Sequence, residues 1–269
     1  MQFKEPTILL TFDVEEFDLP LEFKQEIPIN RQMEIGKAGL DVVTTILNDF
    51  NVTSTLFTTG SFAKTFPEAI KELSSKHEIA SHSLFHSTFS TSDLSESKIL
   101  LEKITGNAVH GFRMPRMKPV NVQDLADAGY SYDSSINPTI LPGRYNNLHL
   151  SRVFYREHGL LRLPGSVTPN LRIPLFWLSF KNFPYTLYRK LALKTLQRDG
   201  YLSLYFHPWE FTDISSFQLP FYIKKLWGNE LIDRLCMLMN DLKNVAVFST
   251  VKNYADHNIS LAFDTLYAE

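Results

Sequence analysis

Short apolar runs alternating with amphipathic segments are the feature that most restricts how this chain can fold. Residues 7–13, 53–58, 77–81, 108–113, 160–164, 201–207 and 245–250 have the length and apolar character of buried strands. Between them, residues 31–50, 67–75, 91–105, 120–128, 184–199 and 230–243 carry the spacing of helices with one apolar face. Strand–helix repetition of this kind builds a mostly parallel sheet covered by helices. Seven or so alternations favour a single distorted (β/α) barrel of about seven strands over a small doubly wound sheet. The 269 residues suit one such domain, spanning residues 1–269. No internal repeat, low-complexity tract or linker interrupts the pattern.

Composition removes several classes of function. With 44% hydrophobic and 21% charged residues the chain can bury a large core and is unlike a disordered protein. A net charge of -2, with lysines and arginines scattered along the sequence, offers no electrostatic footprint for nucleic acid. The single cysteine, Cys236, excludes an internal disulfide and reads as a buried structural thiol within a helix. The N-terminus enters the first strand at once, without the basic and apolar regions of an export signal, so a cytoplasmic location is expected. No apolar run approaches the roughly 20 residues of a membrane-spanning helix.

The chemistry gathers at strand ends. Asp13 and Glu15 close the first apolar run two residues apart, so in extended backbone both carboxylates point to one side. His82 and His86 follow the third run at a spacing that lets two imidazoles face one metal ion. A carboxylate would complete a two-histidine, one-carboxylate site with positions open for water and substrate. Arg113 ends the fourth run, where a guanidinium can hold a carboxylate. His207 ends the strand-like run that leads into Pro208-Trp209-Glu210. In a β/α barrel the loops after the strands converge on one face, which is where active sites lie.

These residues fall into an ordered series. Thr11-Phe12-Asp13-Val14-Glu15, the stretch from His77 to His86, Phe112-Arg113-Met114-Pro115 and the stretch from Leu204 to Glu210 together resemble the motifs of the polysaccharide deacetylases with a NodB homology domain, the fourth family of carbohydrate esterases. The segments around Tyr130 to Ser135 and Leu163-Pro164-Gly165 fit between them. The resemblance implies a NodB-type barrel that removes N-acetyl groups from an amino sugar in an oligosaccharide, polysaccharide, glycolipid or nucleotide-linked precursor. It implies Asp13 as general base, and Glu15, His82 and His86 as ligands to one divalent ion, with zinc favoured. Arg113 would orient Asp13, and His207 would be the general acid, paired with Asp133. Two adjacent aspartates usually follow Thr-Phe in this family, whereas Val14 and Glu15 follow Asp13 here; Glu16 and Asp18 are alternative carboxylate ligands.

Two other functions fit parts of the pattern. A carbohydrate-binding pseudoenzyme would keep the barrel and cleft without turnover, and a non-haem iron oxygenase uses the same ligand triad. The second has no need of a base beside the ligands or of a strand-end His207. The aromatic and basic stretch 171–193 is read first as core packing, with a sugar-stacking wall and peripheral contact with anionic lipid as alternatives.

Overall fold

The computed structural model describes residues 5–257. Its strands are β1 (Thr7–Val14), β2 (Thr55–Thr58), β3 (Glu78–Ser81), β4 (Gly111–Phe112), β5 (Tyr132–Asp133), β6 (Ile140–Leu141), β7 (Tyr145–Asn146), β8 (Tyr155–Glu157), β9 (Leu160–Arg162), β10 (Tyr201–Phe206) and β11 (Val247–Phe248). Its helices are α1 (Leu19–Glu22), α2 (Ile29–Asp49), α3 (Gly60–Thr65), α4 (Pro67–Leu73), α5 (Ser92–Thr105), α6 (Val122–Asp127), α7 (Trp177–Asn182), α8 (Tyr185–Asp199), α9 (Phe221–Lys224) and α10 (Gly228–Lys243). The seven strands β10-β1-β2-β3-β4-β5-β9 run parallel in that order, and β8 adds an antiparallel edge beside β9. A curled half-barrel results. Beyond β9 the chain docks against β10, where the Ser166 amide donates to the Ser203 carbonyl at 2.9 Å and the Ser203 amide to Ser166 Oγ at 2.8 Å.

β1 is the axis of this sheet. It pairs with β10 along Thr7 to Phe12 on one side, and with β11 and then β2 on the other, so every one of its residues is buried. Side chains alternate across a strand. Ile8, Leu10, Phe12 and Val14 therefore face the helices in the main core, whereas Leu9 faces the barrel interior with Phe57, Ala80, Tyr132 and Leu161. Each such buried aliphatic or aromatic side chain contributes about 1.5–3 kcal/mol. Asp13 continues the interior-facing series, and the same period that builds the core thus aims its carboxylate into the barrel mouth. At the opposite end, helical residues 251–257 plug the barrel with Val251, Tyr254 and Ala255.

The long helix α2 braces two of the loops that carry the site. It packs so closely that a Cβ on Gly39 would fall 2.1 Å from the Pro208 carbonyl oxygen, and one on Gly36 2.4 Å from that of Glu15. Glycine is required there by proximity of backbone rather than by conformation.

Most expected elements are present with ends shifted by a few residues, but the ladders at β4 and β11 are only two residues long. β5, the β6–β7 hairpin, β8, α3 and α7 were not anticipated; elements of two to six residues are too short to display a period. Cys236 is partly buried against the core rather than fully enclosed. No helix is long and apolar enough to cross a membrane among the described residues.

Candidate active site

Asp13 lies one residue before the end of β1, His82 and Arg113 directly follow β3 and β4, and His207 directly follows β10. All four therefore meet at the C-terminal mouth of the half-barrel, with Glu15 and His86 supplied by the loops just beyond. Asp13, Glu15, His82, His86 and His207 line a cavity of about 390 Å³ there.

Three donor atoms converge on one point. Glu15 Oε2 lies 3.1 Å from His82 Nε2 and 2.9 Å from His86 Nε2, and all three residues are buried. The outer nitrogens are committed elsewhere: His82 Nδ1–H donates to the Arg113 carbonyl at 2.8 Å, and His86 Nδ1–H to Asp18 Oδ1 at 2.8 Å. Both rings thus turn an Nε2 toward Glu15, the arrangement in which partners behind the ring fix the tautomer of a metal-binding histidine. Trp209 Nε1 donates to Glu15 Oε1 at 3.0 Å and leaves Oε2 for the inner face. Burial alone would lower the His86 pKa, but the Glu15 and Asp18 carboxylates outweigh it and push it up to about 10. Glu15 is held well below the usual carboxylate range by the two imidazoles despite its burial. The pocket demands positive charge, which a proton or a divalent cation can supply; two imidazole nitrogens and one carboxylate oxygen are a zinc-type donor set.

The other carboxylates of this loop face away from that point. Glu16 accepts from Thr59 Oγ1 at 2.8 Å, from Ser61 Oγ at 3.0 Å and from the His86 amide at 3.1 Å, tying β1 to the start of α3. Asp18 sits behind His86 and pairs with Arg116 at 2.8 Å. Glu15 alone of the three candidates faces both Nε2 atoms.

Arg113, fully buried, donates from Nη1 to Asp13 Oδ1 at 2.6 Å and to Thr11 Oγ1 at 2.9 Å. Its remaining nitrogens bond Ser134, and its plane stacks 3.9 Å from the Phe57 ring centroid. Asp13 Oδ2 is left facing His207 Nε2 across 3.9 Å, too far for a hydrogen bond, so both atoms remain available to a ligand in the cavity.

The expected partner of His207 is replaced. Asp133 is buried, but it pairs with Arg162 at 3.0 Å and with the Ser135 hydroxyl. His207 instead donates its backbone N–H at 2.8 Å and its Nδ1–H at 3.0 Å to Glu210 Oε1, three residues along the tight turn Pro208–Phe211. The proline and the short turn fold the carboxylate back on the ring, so local spacing accomplishes what a distant strand was expected to do. Glu210 Oε2 is 3.0 Å from Lys181 Nζ, and neither side chain is exposed. Burial alone would lower the His207 pKa; the bond to Glu210 and the charges of Glu15, Glu210 and Asp13 raise it.

Lys181 belongs to the aromatic stretch 171–193. Phe180 and Tyr188 of that stretch are core residues, whereas Trp177 lines the cavity, its ring perpendicular to that of His207 at 5.1 Å. Only Leu171 and Leu187 are exposed large apolar side chains there. Core packing and a cavity wall therefore account for most of the stretch. Glu210 was visible as the third residue after His207, but no sequence signal distinguished Lys181 from the other basic residues nearby.

The fold and the motif series meet in one class. Residues 1–132 match the sequence profile of the polysaccharide deacetylase family. Among solved structures, a Mycobacterium smegmatis protein assigned to the polysaccharide deacetylases superposes with a TM-score of 0.66 at 19% identity, over 97% of this chain and 92% of that one. A Pseudomonas aeruginosa PAO1 protein with the same assignment gives 0.64 at 16% identity, over 93% and 90%. Puue allantoinase gives 0.63 at 15% identity, over 93% and 89%. Comparison with curated proteins returns no match. The chain thus has the NodB-type polysaccharide deacetylase fold, and its sequence through residue 132 carries that family's signature.

Proposed function

We propose that this protein is a metal-dependent N-deacetylase that hydrolyses the acetamide of an amino sugar. The observation that carries the reading is the convergence of Glu15, His82 and His86 on one point in a cavity that Asp13 and His207 also line, with Asp13 Oδ2 and His207 Nε2 3.9 Å apart. A divalent ion held by those three residues, zinc being favoured by the donor set, would polarise the acetamide carbonyl and acidify a water molecule. Asp13 supplies the base: Oδ1 is occupied by Arg113, so Oδ2 is the atom that accepts the proton of the attacking water. His207 supplies the acid, since Glu210 takes Nδ1–H and leaves a protonated Nε2 to donate to the departing nitrogen. Trp177 and Trp209 flank the imidazole and keep bulk water from it.

The test is acetate release from N-acetylated chito-oligosaccharides by chelator-treated protein before and after zinc is restored. Release that requires the metal and is lost in Asp13→Asn and His207→Ala supports the assignment. Equal release by Asp13→Asn and the parent protein would overturn it.

A further inference from the structure

The cavity above this site is walled by segments that are themselves held in place by hydrogen bonds and ion pairs. The segment after β5 forms the β6–β7 hairpin, whose Leu141, Arg144 and Tyr145 line the cavity. The hairpin is held in place: Thr139 Oγ1 donates to the Arg172 carbonyl at 2.6 Å, and Arg172 Nη1 returns to the Pro138 and Leu150 carbonyls at 3.1 and 2.8 Å. Its tip is bolted to α1 by Arg144 and Glu22 at 2.9 Å, and Glu22 also binds Arg116 of the Pro115–Met117 turn at 2.5 Å. α9 supplies another part of the wall, with Tyr222 and Ile223 in the cavity. It is fixed to α7 through Lys181 Nζ on the Ile223 carbonyl at 3.0 Å and Asn182 Nδ2 on that of Tyr222 at 2.7 Å.

The lining also selects by charge. Among the described residues, Arg116 and Arg144 are the only lysines or arginines in the cavity wall; Arg116 is engaged by Asp18 and Glu22, and Arg144 by Glu22. Neither guanidinium stands there without a carboxylate partner to meet a phosphate. Beyond the ionised groups of the site, the wall offers a ligand neutral polar and aromatic side chains. Asn137 Nδ2 donates to the hydroxyls of Tyr145 at 2.9 Å and Tyr205 at 2.7 Å, which leaves both hydroxyl protons free. Burial raises both phenols' pKa values, so they remain donors. Trp177 and Tyr222 add aromatic surface of the kind that packs on the apolar face of a sugar ring.

We propose that the substrate is an uncharged N-acetyl amino sugar that is free or stands at the end of a short chain, entering end-on, and that the Glu22–Arg144 bridge excludes internal units of a polymer. This rests on the deacetylase reading. About 390 Å³ falls near the lower end of the roughly 300–1,000 Å³ typical of ligand cavities, room for one or two rings.

Two measurements test it on the zinc-loaded full chain. Tryptophan fluorescence of Asp13→Asn and, independently, His207→Gln is titrated with N-acetylglucosamine, its dimer and hexamer, and its uridine-diphosphate derivative. Mass spectrometry then locates the acetyl groups that the parent protein removes from the hexamer. Affinity that stops rising after the second ring, with loss of the terminal acetyl alone, supports the proposal. A gain continuing past two rings, removal of internal acetyls, tighter binding of the nucleotide sugar than of the free sugar, or no sugar binding overturns it. Plateaued binding without acetate release from any sugar would fail the deacetylase reading while upholding the shape of the pocket. Arg144→Ala and Glu22→Gln, both at the partly exposed rim, should make removal of internal acetyls detectable where the parent shows none; no change in either variant counts against the bridge as the excluding element.

Discussion

Lys181 and Glu210 form an ion pair at 3.0 Å with neither side chain exposed to solvent, and the carboxylate's other oxygen holds His207. Removing one member of such a pair leaves a buried charge without its partner. Lys181→Met is expected to destabilise the fold by about 3–5 kcal/mol, and the double variant Lys181→Met/Glu210→Gln by less than the sum of the singles. Thermal or urea unfolding of the three variants measures both.

The same pair sets a pH dependence. Glu210 is held below its ordinary pKa: burial opposes this, and Lys181 and His207 prevail. Its stabilising contribution is present above the ordinary carboxylate range and lost as pH falls through the lowered folded value. His207 has the opposite sign: its raised folded pKa contributes stability that is full below its ordinary value and lost as pH rises through the folded one. Unfolding temperature against pH should show a plateau between these limits that Glu210→Gln flattens on both sides. In the proposed reaction His207 must carry its proton, so kcat/KM should fall as pH rises through its pKa. Glu210→Gln should move that limb to lower pH, with a loss of roughly 10²-fold in rate at the pH where the parent protein is most active.

Asp18 touches His86 rather than the point where the three donor atoms meet. Asp18→Asn should weaken zinc binding by about 10–100-fold while Glu15→Gln or His86→Ala weakens it further. Zinc competition with a coloured chelator reads the order directly. An Asp18→Asn protein that binds zinc as tightly as the parent would remove Asp18 from the support of His86. Metal removal should also lower the unfolding temperature, because an ion bound only by the native state stabilises it.

Gly39→Ala places a methyl carbon 2.1 Å from the Pro208 carbonyl oxygen, a contact that only movement of backbone can relieve. The expected cost is about 1–3 kcal/mol, and activity should fall more than stability because the displaced loop carries His207. Comparing kcat with the unfolding temperature separates the two; a kcat that tracks stability alone would show that the loop has not shifted.

The alternation of apolar runs and amphipathic segments determined the parallel half-barrel. It also determined the strand ends where Asp13, His82, Arg113 and His207 meet, because side-chain period and position along a strand are local properties that a parallel sheet turns into proximity. Other relationships depended on where side chains point after the strand ends, and neighbouring residues of the same type do not reveal that. Glu15, Glu16 and Asp18 read alike in sequence, yet Thr59 and Ser61 draw Glu16 away and Arg116 draws Asp18 behind His86. Asp133 read as the partner of His207, yet Arg162 claims it and the turn at Pro208 brings Glu210 to the imidazole instead. Lys181 with Glu210, and Arg144 with Glu22 at the cavity rim, join segments far apart in the chain. Only tertiary packing decided these, since a buried charge takes whichever counter-charge the fold brings within reach.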